Sequence, residues 1–160
     1  MSRILIALML AGTFVTMGTS LAVIDTDAFQ TTLNKTDNPR GNKNIEAINK
    51  VRTVIFSWVK TWQDKNIDGY MSFYSSSFRS GDLDYKGWWA KKSKLFQRPG
   101  TISLQILDLW VVVEGKHAGA SFVQRYQDAY HSDFGEKIIN LIKLNGNWQI
   151  VMEEWQPLAR

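Results

Sequence analysis

Leu141-Ile142-Lys143-Leu144-Asn145-Gly146-Asn147-Trp148-Gln149-Ile150-Val151-Met152-Glu153-Glu154-Trp155 is the stretch on which the fold turns. Two runs of alternating polarity are split by Asn-Gly. A type I′ turn needs positive φ at both central residues, and Asn-Gly meets that need at little cost, so the stretch reads as a β-hairpin. With Asn145 and Gly146 as the loop, Leu144 faces Asn147, Lys143 faces Trp148, Leu141 faces Ile150, Ile139 faces Met152 and Lys137 faces Glu154. The middle pairs make an apolar face. The last pair sets an ammonium opposite a carboxylate at the end of that face. Glu153 and Glu154 are adjacent, so a regular strand turns only one of them inward. The register favours Glu154; a bulge near Met152 would favour Glu153.

Working upstream, residues 118–128 carry Ala118, Ala120, Phe122, Gln124, Tyr126 and Asp128 on one face, again running from apolar to polar. Glu114-Gly115-Lys116 turns the chain before them. Earlier still, Ile102, Leu104 and Ile106 alternate in one phase and Leu107, Leu109, Val111 and Val113 in the other. A phase change inside one strand predicts a β-bulge. Before Thr101 the period is helical. Ile45, Ile48, Val51, Ile55, Trp58, Val59 and Trp62 recur at steps of three and four, predicting a helix from Asn44 to about Lys65. A short helix is predicted over 68–74, with Tyr70, Phe73 and Tyr74 inward. A third runs over 84–97, with Asp84 as its N-cap and Pro99-Gly100 beyond its end. Ser75-Ser76-Ser77 reads as a loop. The expected architecture is α+β: three helices packed on a strongly curved antiparallel sheet of about four strands, shaped like a cone.

The chain has 160 residues, enough for one domain with a sizeable core, and a net charge of +4. It shows no Lys/Arg run and no nucleic-acid motif, so the small excess serves solubility, and no nucleic-acid partner is expected. Arg3, the apolar run Ile4 to Val15 and the small residues Ser20 and Ala22 form the pattern of a secretory signal over 1–22. Thr13, Thr16, Gly18, Thr19 and Ser20 dilute the run below the length of a membrane span, so no span is expected in the mature chain. Residues 23–42, rich in Thr, Asn and Asp, read as a flexible linker, and 43–160 as the folded domain. The chain has no Cys. An exported domain without disulfides suits a bacterial periplasm, held by its core alone.

Trp58-Val59-Lys60-Thr61-Trp62, Lys65-Asn66-Ile67-Asp68-Gly69-Tyr70, Tyr74, Trp88-Trp89, Phe122-Val123-Gln124-Arg125-Tyr126, Asp133, Lys137 and Gly146-Asn147-Trp148-Gln149-Ile150 leading to Glu153 form an ordered set. The set resembles the nuclear transport factor 2-like (SnoaL-like) superfamily. More narrowly, it resembles the C-terminal accessory domain of cell-shape-determining L,D-transpeptidases, over about residues 45–157. The resemblance implies a cone of helices against a curved sheet. It marks Gln124, Tyr126, Lys137 and Glu153 as pattern positions, and it has an acid where this chain has Asn66. The transpeptidase chemistry needs a nucleophilic Cys, which the chain lacks.

Together the two readings give a candidate pocket of Gln124, Tyr126, Asp128, Lys137, Glu153, Glu154, Trp62 and Tyr70. Apolar walls with a few converging polar groups are what small-ligand sites look like. His117 and His131 fall at loop edges, and Asp82 and Asp84 read as a helix start, so no catalytic residue, metal or cofactor is assigned. The expected function is an exported, non-catalytic binding or accessory domain holding a small ligand, a cell-wall fragment or a protein partner. The alternatives are a cofactor-free isomerase, dehydratase or hydrolase using Tyr126 and a carboxylate, and a homodimer formed through the sheet face.

Overall fold

The computed structural model describes residues 39–158, so the 1–22 signal and most of the 23–42 linker lie outside the described residues. Helix α1 (Pro39–Gln63) takes in residues 39–42, which the linker reading had included. Its buried stripe is Val51, Ile55, Trp58, Val59 and Trp62, as the spacing predicted, whereas Ile45 is exposed. Lys65, at positive φ, ends the turn after α1. Helix α2 (Ile67–Met71) starts on Asn66, whose side chain accepts the Gly69 N–H at 2.9 Å. The amide therefore fills the N-cap role that a carboxylate plays equally well. Strands β1 (Tyr74–Ser80) and β2 (Leu83–Asp84) follow, then helix α3 (Tyr85–Phe96). The Asp84 carboxylate caps α3 by accepting the Gly87 N–H at 2.9 Å. Strands β3 (Ser103–Glu114), β4 (His117–Gln127), β5 (Ser132–Leu144) and β6 (Asn147–Pro157) complete the domain.

The sheet corrects the expectation of a strongly curved, four-stranded antiparallel cone. It has six strands in the order β2-β1-β6-β5-β4-β3, and it is mixed, because β1 runs parallel to β6. It is open and not strongly curled: β2 and β3 are its two edges and never pair. The α+β class and the three helices stand. The error lies at 74–80, where Tyr-Ser-Ser-Ser-Phe-Arg-Ser has too little apolar alternation to announce a strand. Pairing with β6 makes it one, since β structure depends on neighbours more than on local preference.

The expected irregularity in β3 is present, and β6 carries the bulge that the regular register had not favoured. In β3 the register slips between Leu107 and Trp110, and Asp108 there has a φ of 53°. The slip lets Ile102, Leu104 and Ile106 and then Leu109, Val111 and Val113 face the same side. In β6 the register slips at Val151: Leu141 pairs with Ile150, but Asn140 pairs with Met152. Lys137 therefore lies opposite Trp155, not Glu154, and Ile139 lies opposite Glu153, not Met152. The slip falls where β6 is held on both sides, since the Ile150 N–H is donated to the Phe73 carbonyl at 2.7 Å just before β1.

The core lies between the helices and one sheet face and is largely aromatic. Trp58, Tyr70, Phe78 and Phe122 are fully enclosed. Their rings meet edge-on or tilted, with Trp58 5.2 Å from Trp62 and Tyr74 4.8 Å from Phe78, in the geometry that ring quadrupoles favour. On the opposite face β3 leaves Trp110 and Val112 exposed.

Candidate functional site

The β6 slip decides which acid enters the core. Glu153 is 1% exposed, whereas Glu154 faces solvent, so the register expectation for Glu154 is overturned. Lys137 and Ile139 share a face of β5, and Ile139 pairs with Glu153, so Lys137 reaches the acid diagonally. Its Nζ lies 2.8 Å from Glu153 Oε2. The other oxygen, Oε1, accepts the Tyr74 hydroxyl. Tyr74 has one proton and commits it to the carboxylate. Its oxygen is then the acceptor for the Trp58 indole N–H at 2.8 Å and for the Tyr70 hydroxyl. A buried chain thus runs from Lys137 through Glu153 and Tyr74 to Trp58 and Tyr70. Burial, and next the Glu153 charge, push both phenols well above their usual range, so they stay protonated.

Above this chain lies a cavity of about 230 Å³. Trp62, Leu95, Tyr126 and Trp155 give it apolar walls, and Gln124, Lys137, Lys92, Lys91, His131 and Asp133 supply polar groups. Gln124 is 3% exposed, and its Oε1 has no hydrogen-bond partner; Trp62 Nε1 and Asp133 Oδ1 are also unpartnered. Such atoms are costly unless something polar meets them.

Lys92 is the residue the sequence reading missed. It is 6% exposed, and its Nζ lies 3.6 Å from the centre of the Trp62 ring, 4.6 Å from Trp88 and 5.5 Å from Tyr70. None of the ion pairs among the described residues includes it. Loss of hydration is the main influence on the amine and lowers its pKa from 10.5 to about 7; Glu153 pulls the other way, and Lys137 and Lys91 add to the fall. A sequence signal was there to find. Trp88, Lys92 and Phe96 are four apart on one buried helix stripe, and a lysine in such a stripe stands out.

Of the eight candidates, Gln124, Tyr126, Lys137 and Trp62 line the cavity. Glu153 and Tyr70 lie beneath it in the buried chain. Asp128 serves the β4–β5 connection. Its Oδ2 accepts the Tyr126 hydroxyl at 2.7 Å, and Oδ1 accepts the N–H groups of Tyr130 and His131, each at 2.7 Å. Burial opposes the Asp128 charge, but those three donors outweigh it and hold the carboxyl below the usual carboxylate range. Burial, followed by this hydrogen bond, raises the Tyr126 pKa and fixes its proton. His131, placed by that turn, lies with Nε2 3.2 Å from Asp133 Oδ2 at the cavity wall. Among the described residues no cluster of three or more acids and histidines is placed to hold a metal.

Trp155 closes one side of the cavity by lying on Gly135. A Cβ at that position would run into the Gln156 carbonyl and come within 2.7 Å of the Trp155 ring. Gly135→Ala is therefore expected to cost about 1–3 kcal/mol, read by urea unfolding, because backbone as well as indole must give way.

Residues 50–154 match the family model described as the Cds6 C-terminal NTF2-like domain. This chain belongs to that family. The Cds6 C-terminal NTF2-like match takes in α2, α3, every strand through Glu154 and the whole buried α1 stripe. Similar solved structures agree on the fold. Bd1075 of Bdellovibrio bacteriovorus is 26% identical with a TM-score of 0.66, over 69% of this chain and 40% of that one. An NTF2-like protein of unknown function from Pseudomonas putida KT2440 is 20% identical with a TM-score of 0.65, over 72% and 89%. The helical cell shape determining protein Pgp2 of Campylobacter jejuni is 21% identical with a TM-score of 0.54, over 63% and 38%. The chain thus spans well under half the length of the Bdellovibrio and Campylobacter proteins. No curated protein matches it at a significant level. The chain is an NTF2-like domain with a pocket, structurally related to the accessory domain of Pgp2-type cell-shape proteins. Having no Cys, it does not itself carry a Cys-dependent L,D-transpeptidase centre. Among the described residues no helix is long and apolar enough to cross a membrane.

Proposed function

We propose that this domain is an exported, non-catalytic binding or accessory module of the bacterial cell envelope that holds a small ligand or a cell-wall fragment in the Trp62–Gln124–Lys137 cavity. The observation that carries the reading is Gln124. Its amide is buried at the wall of a 230 Å³ cavity with Oε1 unpartnered, and a bound polar group would meet it. The periplasmic part rests on the 1–22 signal pattern and on the similarity to a cell shape determining protein. Two features favour binding over turnover. Glu153 is tied to Lys137 and Tyr74, and the Tyr126 proton is held by Asp128, so neither is free to move a proton. In a thermal-shift screen against cell-wall fragments and small hydrophobic acids, the full chain is expected to gain stability with a subset of them. Gln124→Ala is expected to remove that gain while leaving the ligand-free midpoint within a few degrees. An undiminished gain in the variant would move the binding site elsewhere.

One observation favours a second reading, a cofactor-free isomerase, dehydratase or hydrolase: the His131–Asp133 pair has acid–base geometry at the cavity wall. Chemical change in a bound hydrophobic acid, followed by NMR and abolished by Asp133→Asn, would establish that reading over the first.

A further inference from the structure

We propose that the ligand of this cavity is a small organic monoanion, a carboxylate on an apolar body, with the carboxylate seated on the ammonium of Lys92. The inference rests on the cavity being a ligand site and adds the chemical class. Charge comes first. Lys137 is neutralised by Glu153 at 2.8 Å, so the uncompensated charges at the cavity are Lys91 and Lys92 against Asp133. The balance is positive by one, which suits one negative charge and not two. Geometry comes next. Lys92 is held by ring faces, which attract a cation but accept no conventional hydrogen bond, so its N–H groups are open to an acceptor. A carboxylate there makes a charge-assisted hydrogen bond in a dry setting, among the stronger polar contacts available to a protein. Shape comes last. Trp62, Leu95, Tyr126 and Trp155 offer apolar surface to the rest of the molecule, and Gln124 Oε1 offers an acceptor to a donor group carried on that body.

The groups facing Lys92 are Glu153, Lys137 and Asp133 from the sheet, Lys91 from its own helix and the Tyr70 ring from α2. In this setting the amine is charged only below about pH 7. A carboxylate binds the charged form, so binding takes up a proton above that pH. Affinity is then expected to fall on the order of twentyfold between pH 6.5 and 8.5, following the protonated fraction of an amine with that pKa.

The probes are benzoate and its neutral isostere benzamide, titrated calorimetrically into the full chain across that pH range. Benzoate is expected to bind more tightly than benzamide by at least tenfold at pH 6.5, with the stated pH dependence. Lys92→Met is expected to remove both the preference and the pH dependence. Lys94→Met, an exposed charge on the same helix outside this cavity, is expected to change neither. His131 also lines the cavity, so persistence of the pH dependence in His131→Gln assigns it to Lys92. Equal binding of benzoate and benzamide, or full benzoate affinity in Lys92→Met, overturns the anion assignment and leaves the cavity as a ligand site. Binding of neither probe at millimolar concentration overturns the assignment together with the ligand-site reading on which it rests.

Discussion

Glu153→Ala is expected to destabilise the domain by about 3–5 kcal/mol, measured as the shift in urea midpoint at constant slope. The size follows from what the substitution leaves behind. Lys137, 5% exposed at its side chain, would keep a buried ammonium with no counter-charge. The Tyr74 hydroxyl would lose its acceptor, and with it the order of the donors from Trp58 and Tyr70. Removing one partner of a buried pair costs far more than the pair itself contributes, because the survivor is stranded away from water. The same reasoning predicts that Lys137→Met combined with Glu153→Leu recovers most of the loss. A loss under 1 kcal/mol for the single variant would mean that water reaches Lys137 freely and that the pair is not buried in solution.

The second large effect has the opposite sign. Lys92→Met is expected to raise stability at pH 7 by about 2–4 kcal/mol. An amine whose pKa drops from 10.5 to about 7 binds fewer protons folded than unfolded throughout that interval. The sign follows directly. The penalty on the folded state is complete below pH 7 and shrinks as pH rises towards 10.5. Wild-type stability should therefore climb with pH between 7 and 10, by at most about 1.4 kcal/mol per unit. In Lys92→Met this slope should vanish, because methionine fills similar space among the rings without a charge to desolvate. A wild-type curve that is flat over this range would show that Lys92 is solvated. Tyr70 and Tyr74 do not disturb the window, since their protons are held to higher pH than an ordinary phenol. A residue that weakens the domain yet lines its cavity fits a role in recognition better than one in packing.

The parts of this fold legible in the sequence are those governed by local rules. Asn145-Gly146 makes its hairpin at positive φ in both residues, the phase change at 106–107 marks the β3 slip, and Asp84 caps α3. What escaped was set by distant neighbours. Residues 74–80 become a strand because β6 lies beside them, and that added pairing leaves an open mixed sheet where a curled antiparallel one was expected. The β6 slip changed the buried acid from Glu154 to Glu153. Local patterning could name that possibility but not select it, because the slip is fixed where β6 is clasped between β1 and β5. Lys92 escaped for a different reason. It was given no role, although its spacing from Trp88 and Phe96 puts it on the inward stripe.

The strand order carries a consequence for how the chain comes together. The segment 147–157 sits inside the sheet, joining the 74–84 edge to the 103–144 meander. Until it is in place, the 74–84 strands have no sheet partner that links them to the 103–144 strands. The sheet is therefore complete only once 147–157 is in place, and a long-range closure of this kind is slow compared with hairpin formation. A molecule of this design completes its sheet through one long-range pairing that no local hairpin can replace.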